Sequence, residues 1–310
     1  MHVPVLLDEV IAALVPADRP VRRAVDGTLG AGGHSRALLE AGVEALLGLD
    51  LDPAALALAA EALAPFRGRA HLVRASYANM VEEAARIGWD GVDAILLDLG
   101  VSSMQLDVPE RGFAFRQEGP LDMRFDPGGS RPTAADLVNS LDEDELAALF
   151  YTYGEERDGR RLARAIVRAR PYRTTRELAE VIERAAPQRP AGRHAKPPIH
   201  PATRVFQALR IAVNDELRVL EAALPKAIAL LRTGGRLAVI SFHSLEDRIV
   251  KDAFRLASTD CMCPPKVPVC VCGHVASVTL VTRKPVTAGE DEIARNPRSR
   301  SAKLRVVEKR

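Results

Sequence analysis

The sequence predicts an α/β fold: a parallel sheet covered by helices on both faces, with an inserted all-helical domain. Three observations carry it. Short apolar runs alternate with helical stretches over the first hundred residues, the pattern of strands buried on both faces. Asp26, Asp50 and Asp98 close three of those runs, at the strand ends where such sheets bind ligands. From Thr133 to about Asn214 the periodicity is helical throughout, which breaks the alternation.

Leu6–Leu14 reads as a short amphipathic helix ended near Pro16. A first strand, about Val21–Val25, runs into Asp26-Gly-Thr-Leu-Gly-Ala-Gly-Gly-His-Ser35, with a helix opening at His34-Ser35. Gly30, Gly32 and Gly33 permit positive φ and a close backbone approach to a ligand. The helix start offers N–H groups to an anion. A dinucleotide fingerprint would need a third glycine where Ser35 stands. The spacing fits acidic-x-small-x-G-x-G better, the first turn of S-adenosylmethionine-dependent methyltransferases, with Thr28 in place of the usual first glycine.

Glu44–Leu49 is the second strand, with Asp50 at its tip. Asp52 precedes Pro53 and the helix Ala54–Leu63, so Asp52 takes the N-cap. That leaves Asp50, 20 residues beyond Gly30, to bind ribose hydroxyls. Ala70–Ala75 is a third strand with Tyr77 beyond it, Tyr77–Ile87 a helix, and Gly91–Leu97 a fourth strand ending in Asp98. Pro109–Pro132 is too long for an ordinary connection. A helix begins at Leu141–Glu145, another is Gly159–Arg170, and Thr174/Thr175 cap a third, Arg176–Ala186. Pro187–Pro201 is a Pro-rich basic connection. A long helix then leads from Ala202 toward Leu231 and ends at Gly234-Gly235. Arg236–Ile240 is the fifth strand, His243 follows it, and Leu245–Leu256 is a helix. Val275–Val281 and Ala302–Val307 close the chain as two strands. The expected domains are 1–105 with 215–310, and an insert over 106–214.

The chain has 310 residues, 47% of them hydrophobic, enough for one large core or two modest ones. No apolar run reaches the ~18 residues of a membrane span. Asp8 and Glu9 interrupt the first apolar stretch and no basic leader precedes it, so no signal peptide is expected, and the cytoplasm is the expected compartment. Net charge is +2, yet Arg157–Arg210 holds 14 Lys and Arg against four Asp and Glu. That local excess favours contact with a polyanion over a merely solvated surface. All four cysteines fall in Cys261–Cys272 as two C-x-C pairs. Cys261, Cys263, Cys270 and Cys272 are therefore a candidate thiolate zinc group, though tighter than usual zinc spacings, the alternative being a reduced metal-free loop.

The chain resembles the bacterial small-subunit ribosomal RNA cytosine-N4 methyltransferases, the RsmH (MraW) family. The resemblance is nearly full-length. It rests on His2-Val-Pro-Val-Leu-Leu-Asp-Glu-Val10, the Asp26–Ser35 turn, Leu96-Leu-Asp-Leu-Gly-Val-Ser-Ser103 with Gln105, and Arg111-Gly-Phe-Ala-Phe115. It continues through Gly119-Pro-Leu-Asp-Met-Arg124, Tyr153-Gly-Glu-Glu-Arg157, His200-Pro-Ala-Thr-Arg204, Gln207-Ala-Leu-Arg-Ile211 and Ile240-Ser-Phe-His-Ser-Leu-Glu-Asp-Arg248.

The resemblance implies a class I methyltransferase (Rossmann-like) sheet with a helical substrate-recognition insert. It implies S-adenosyl-L-methionine as cofactor, with contacts at Gly32, Gly33, His34, Asp50, Tyr77, Asp98 and Gln105. It also implies N4-methylation of one cytosine in small-subunit (16S) ribosomal RNA, near the decoding centre, on free RNA or the assembled subunit. Methylating an exocyclic amine needs an acceptor for its N–H. Asp98 and His243 are the two candidates, Asp98 having a rival role toward the cofactor and His243 a rival structural one. Carbon-5 methylation needs a cysteine nucleophile near the fourth strand, and none lies there. A methyltransferase of another substrate and an RNA-binding protein retaining a cofactor fold are the other readings.

Overall fold

The computed structural model describes residues 4–187, 200–264, 269 and 271–310, in two compact units. The first comprises residues 1–100 and 217–310, the second 101–216. Most of the predicted Pro187–Pro201 connection, Cys270, and the start of the His2–Val10 motif lie outside the described residues.

The first unit opens with α1 (Leu7–Leu14), β1 (Arg23–Asp26), α2 (Gly33–Glu40), β2 (Ala45–Asp50) and α3 (Pro53–Ala62). β3 (Ala70–Arg74), α4 (Met80–Arg86) and β4 (Val92–Asp98) follow. The sheet has seven strands in the order β3-β2-β1-β4-β5-β7-β6, where β5 is Leu231–Ser241, β6 Val278–Leu280 and β7 Lys303–Lys309. β1 to β5 run parallel, and β7 is antiparallel to both β5 and β6. This is the class I methyltransferase sheet that the sequence led one to expect.

Successive residues of the central strands face opposite sides, as the pleat requires. Val25, Leu47, Ile95 and Leu97 enter one apolar cluster; Ala24, Leu46, Ala94 and Leu96 enter the other. Covering on both faces is why these strands read as unbroken apolar runs.

The second unit carries α5 (Ser103–Asp107), α6 (Ala134–Ser140), α7 (Glu143–Gly154), α8 (Gly159–Arg168), α9 (Thr175–Ala185) and α10 (Ala202–Asn214). Capping boxes start α6 at Thr133, α7 at Asp142 and α9 at Thr174. Leu146, Phe150, Leu162, Ile166, Leu178, Ile182, Val205 and Leu209 form its core. The long 109–132 segment joins that core through Phe113, Leu121 and Met123. Leu121 N–H donates to the Arg173 carbonyl at 3.0 Å, and Phe125 N–H to Asn214 Oδ1 at 2.8 Å.

Several expected boundaries are corrected. The helix from Ala202 breaks at Asp215, whose φ of +56° is left-handed. α11 (Glu216–Leu230) starts immediately beyond, and Glu216 takes both guanidinium contacts of Arg210 at 2.8 Å. Gly234-Gly235 does not end a helix; it lies inside β5. Val92 pairs with Leu231 and Ala94 with Arg236, so the strand bulges between them, and Gly234 has φ +80°. Tyr77–Asn79 is a 3-10 turn ahead of α4 rather than helix. After β5 come α12 (Ser244–Ala257) and, between β6 and β7, α13 (Glu290–Arg295). Among the described residues, no helix is long and apolar enough to cross a membrane.

Candidate active site

The parallel strands of the first unit end in a row of carboxylates, each set by its local sequence. β1 delivers Asp26 into a position only 1% exposed. Its Oδ2 accepts the Ser35 hydroxyl at 2.7 Å and its Oδ1 the Thr28 N–H at 3.1 Å. Asp26 thus braces the turn against the start of α2. Burial pushes its carboxyl up, against the pull of those hydrogen bonds.

In the turn, Gly30 and Gly32 have φ of +52° and +80°. A Cβ at Gly32 would stand 3.3 Å from Ala59 on α3, whereas one at Gly30 would meet open space beyond its own turn. Gly33 is glycine for another reason than expected. Its φ is not positive, and a Cβ there would lie 2.6 Å from Pro4 Cγ.

Asp50, at the tip of β2, receives Gly30 N–H on Oδ2 at 2.8 Å and Asp52 N–H on Oδ1 at 2.9 Å. A carboxylate offers about four lone-pair positions, so capacity remains for hydroxyl donors. Burial raises its carboxyl, and the charges of Asp52 and Asp26 add to the rise. Asp52 is fully buried and caps α3 by accepting Ala54 N–H at 3.0 Å. Tyr77 lies beyond β3, half-buried against the core, with its Cβ 2.8 Å from where a Gly27 Cβ would stand.

Asp98 ends β4. Its N–H donates to Thr28 Oγ1 at 2.6 Å, and its Oδ2 stands 3.5 Å from His34 Nδ1. The side chain is 24% exposed, yet Oδ1 is buried with no hydrogen-bond partner among the described residues. His34 Nε2 lies 3.0 Å from the Val5 carbonyl. A carbonyl only accepts, so Nε2 carries the proton. Nδ1 then faces Asp98 as a bare nitrogen unless the pair holds one more proton. Burial, reinforced by the charges of Asp26 and Glu246, pushes Asp98 well above the usual carboxylate range.

Glu246, 2% exposed, accepts the Phe242 and His243 N–H groups on Oε2 at 2.8 and 3.3 Å. His243 is the N-cap of α12: its Nδ1 accepts Glu246 N–H at 3.4 Å, and its Nε2 is 3.2 Å from Glu246 Oε1. Gln105 belongs to the second unit, where it completes a capping box with Ser102 and is 5% exposed. Cys261, Cys263 and Cys272 gather between α12 and β6.

The structure therefore brings Asp26, Asp50, Asp98, His34 and the glycine turn together. Burial raises all three carboxyls, and neighbouring negative charge raises Asp50 and Asp98 further, so a cation entering the row is favoured. Sequence reasoning missed Thr28 and Glu246. Thr28 sat where a glycine was expected, yet its hydroxyl joins the β1 turn to the tip of β4. Glu246 was legible as the fourth residue of a capping box opened by His243.

The model of the MraW methylase family matches residues 1–310. The protein named ribosomal RNA small subunit methyltransferase H in Geobacter sp. (strain M21) is 53% identical over 313 residues, covering 99% of this chain and 98% of that one. Its namesake in Dehalococcoides mccartyi (strain ATCC BAA-2266 / KCTC 15142 / 195) is 53% identical over 310 residues, covering 99% of this chain and 86% of its own.

Proposed function

The chain belongs to the MraW methylase family, and from that premise we propose that it methylates the N4 amine of one cytosine in small-subunit (16S) ribosomal RNA, near the decoding centre. Its relatives are named for methylation of the small-subunit RNA. The cofactor is S-adenosyl-L-methionine, which supplies an electrophilic methyl on a cationic sulfonium. The observation that carries the reading is the unpartnered, buried Oδ1 of Asp98 in a row of raised carboxyls. Such a row fits a cationic amino-acid donor better than an anionic dinucleotide.

Asp50 takes the ribose hydroxyls on its remaining lone pairs. The turn at Gly32 and Gly33 with His34 borders the methionine end, Tyr77 lies along the adenine, and Gln105 is a further cofactor contact that the family resemblance implies. Asp98 offers Oδ1 to an N–H group. Once positive charge on the row has ionised it, the Asp98–His34 pair is also the group that takes the proton an exocyclic amine must lose after gaining a methyl. His243 keeps α12 in place, and through it Glu246. Carbon-5 chemistry is disfavoured because the cysteines lie between α12 and β6 rather than at the tip of β4.

The second unit presents the RNA. Arg157, Arg161 and Arg168 are exposed around α8, and a cytosine leaves its stack to be modified. Incubating the purified chain with the donor and either naked 16S RNA or assembled small subunits, then digesting to nucleosides, tests this. N4-methylcytidine at one site is expected. Methyl on carbon 5, or none on either substrate, overturns it.

A further inference from the structure

Residues 258–277 connect α12 to β6, and the described ones among them bury few apolar side chains. Met262, Val269, Val271 and Val275 are 51%, 71%, 82% and 74% exposed. Something other than apolar burial must hold such a segment in shape.

The sulfurs of Cys261, Cys263 and Cys272 all lie within 4.8 Å of one another, and Cys272 Sγ is 3.9 Å from Cys261 Sγ. Four thiolates around zinc at about 2.3 Å would place their sulfurs about 3.8 Å apart. Each sulfur also accepts a backbone N–H. Met262 N–H reaches Cys272 Sγ at 3.4 Å, Cys263 N–H reaches Cys261 Sγ at 3.4 Å, and Val271 N–H reaches Cys263 Sγ at 3.5 Å. Two of these bonds cross between the arms of the loop. Amides aimed at sulfur stabilise the thiolate, which is the form that binds metal. Soft thiolate donors select zinc over the hard cations.

From this we infer that Cys261, Cys263 and Cys272 hold a structural zinc ion that folds the α12–β6 connection. Binding converts three thiols to thiolates, and their protons go to solvent. This site is independent of the methyl-transfer chemistry.

The test is elemental analysis of the full chain, purified reduced and without chelator or affinity metal, together with cobalt substitution. About one zinc per chain is expected. Cobalt should give the visible bands of a tetrahedral site and the near-ultraviolet charge transfer of thiolate ligation. The double variant Cys261→Ser/Cys272→Ser should lose at least nine-tenths of the metal while keeping the wild-type circular dichroism of the sheet and helices. Removing the metal from the wild type should make 258–277 the first site of limited proteolysis. Less than a tenth of an equivalent of zinc with no tetrahedral cobalt spectrum, or an unchanged metal content in the double variant, overturns the inference. A disulfide among these cysteines in protein isolated under native redox conditions also overturns it.

Discussion

Asp98 Oδ2 faces His34 Nδ1 at 3.5 Å, while the other nitrogen of that ring is committed to the Val5 carbonyl. Burial, with the charges of Asp26 and Glu246, pushes the Asp98 carboxyl well above the usual carboxylate range. A raised carboxyl contributes stability that is full below the unfolded pKa and lost as pH rises through the folded one. Asn keeps a polar side chain facing His34 without the ionisable group. Asp98→Asn should thus raise the melting temperature of the ligand-free chain by about 2–6 °C above neutral pH, with the gain fading toward pH 4. The same variant should lose methyl transfer by about 100-fold or more. Thermal melts across pH and single-turnover rates check both.

The Thr28 hydroxyl is the tie between the β1 turn and the tip of β4, accepting from Asp98 N–H at 2.6 Å. Thr28→Val keeps the shape and leaves that amide without its acceptor, a loss of about 1–3 kcal/mol. Donor affinity should fall along with stability. Thr28→Ser should restore most of both, measured by urea titration and calorimetry.

The two left-handed glycines separate strain from packing. Gly30→Ala meets open space and should cost only the backbone penalty, about 1–2 kcal/mol. Gly32→Ala adds contacts at 3.3 Å with Ala59 to a φ of +80°. It should destabilise more and weaken donor binding more. Equal effects of the two substitutions would show that Ala59 gives way.

On α8, Arg160 and Arg164 pair with Asp144 and Glu143 at 3.3 and 3.0 Å. Arg161 and Arg168, seven residues apart on one face, are exposed. Reversing both to Glu should weaken binding of small-subunit RNA and flatten the slope of log affinity against log salt by about 2. Donor affinity should not change, since neither arginine is among the residues proposed to bind the donor.

Much of this was legible in the sequence because strand and helix periods differ and acids at strand tips are local signals. Asp52 as N-cap of α3 and the Thr174–Glu177 capping box follow from residue type and spacing alone. What the sequence hid depends on contacts between distant segments. Pro4 against Gly33 explains why that position is glycine without a positive φ. Similarly, the bulge that absorbs Gly234-Gly235 into β5 exists only through pairing with β4. The break at Asp215 was hidden because apolar residues continue in helical register on both sides of it. For His243 the sequence left a base and a structural role open, and the structure shows its Nδ1 capping α12 by accepting Glu246 N–H.

Calorimetric titration of the purified chain with S-adenosylmethionine tests the central claim most directly. One equivalent should bind to the wild type, with affinity falling at least tenfold in Asp50→Ala, which removes the carboxylate proposed to take the ribose. No heat of binding in the wild type, or an undiminished affinity in the variant, would contradict the account.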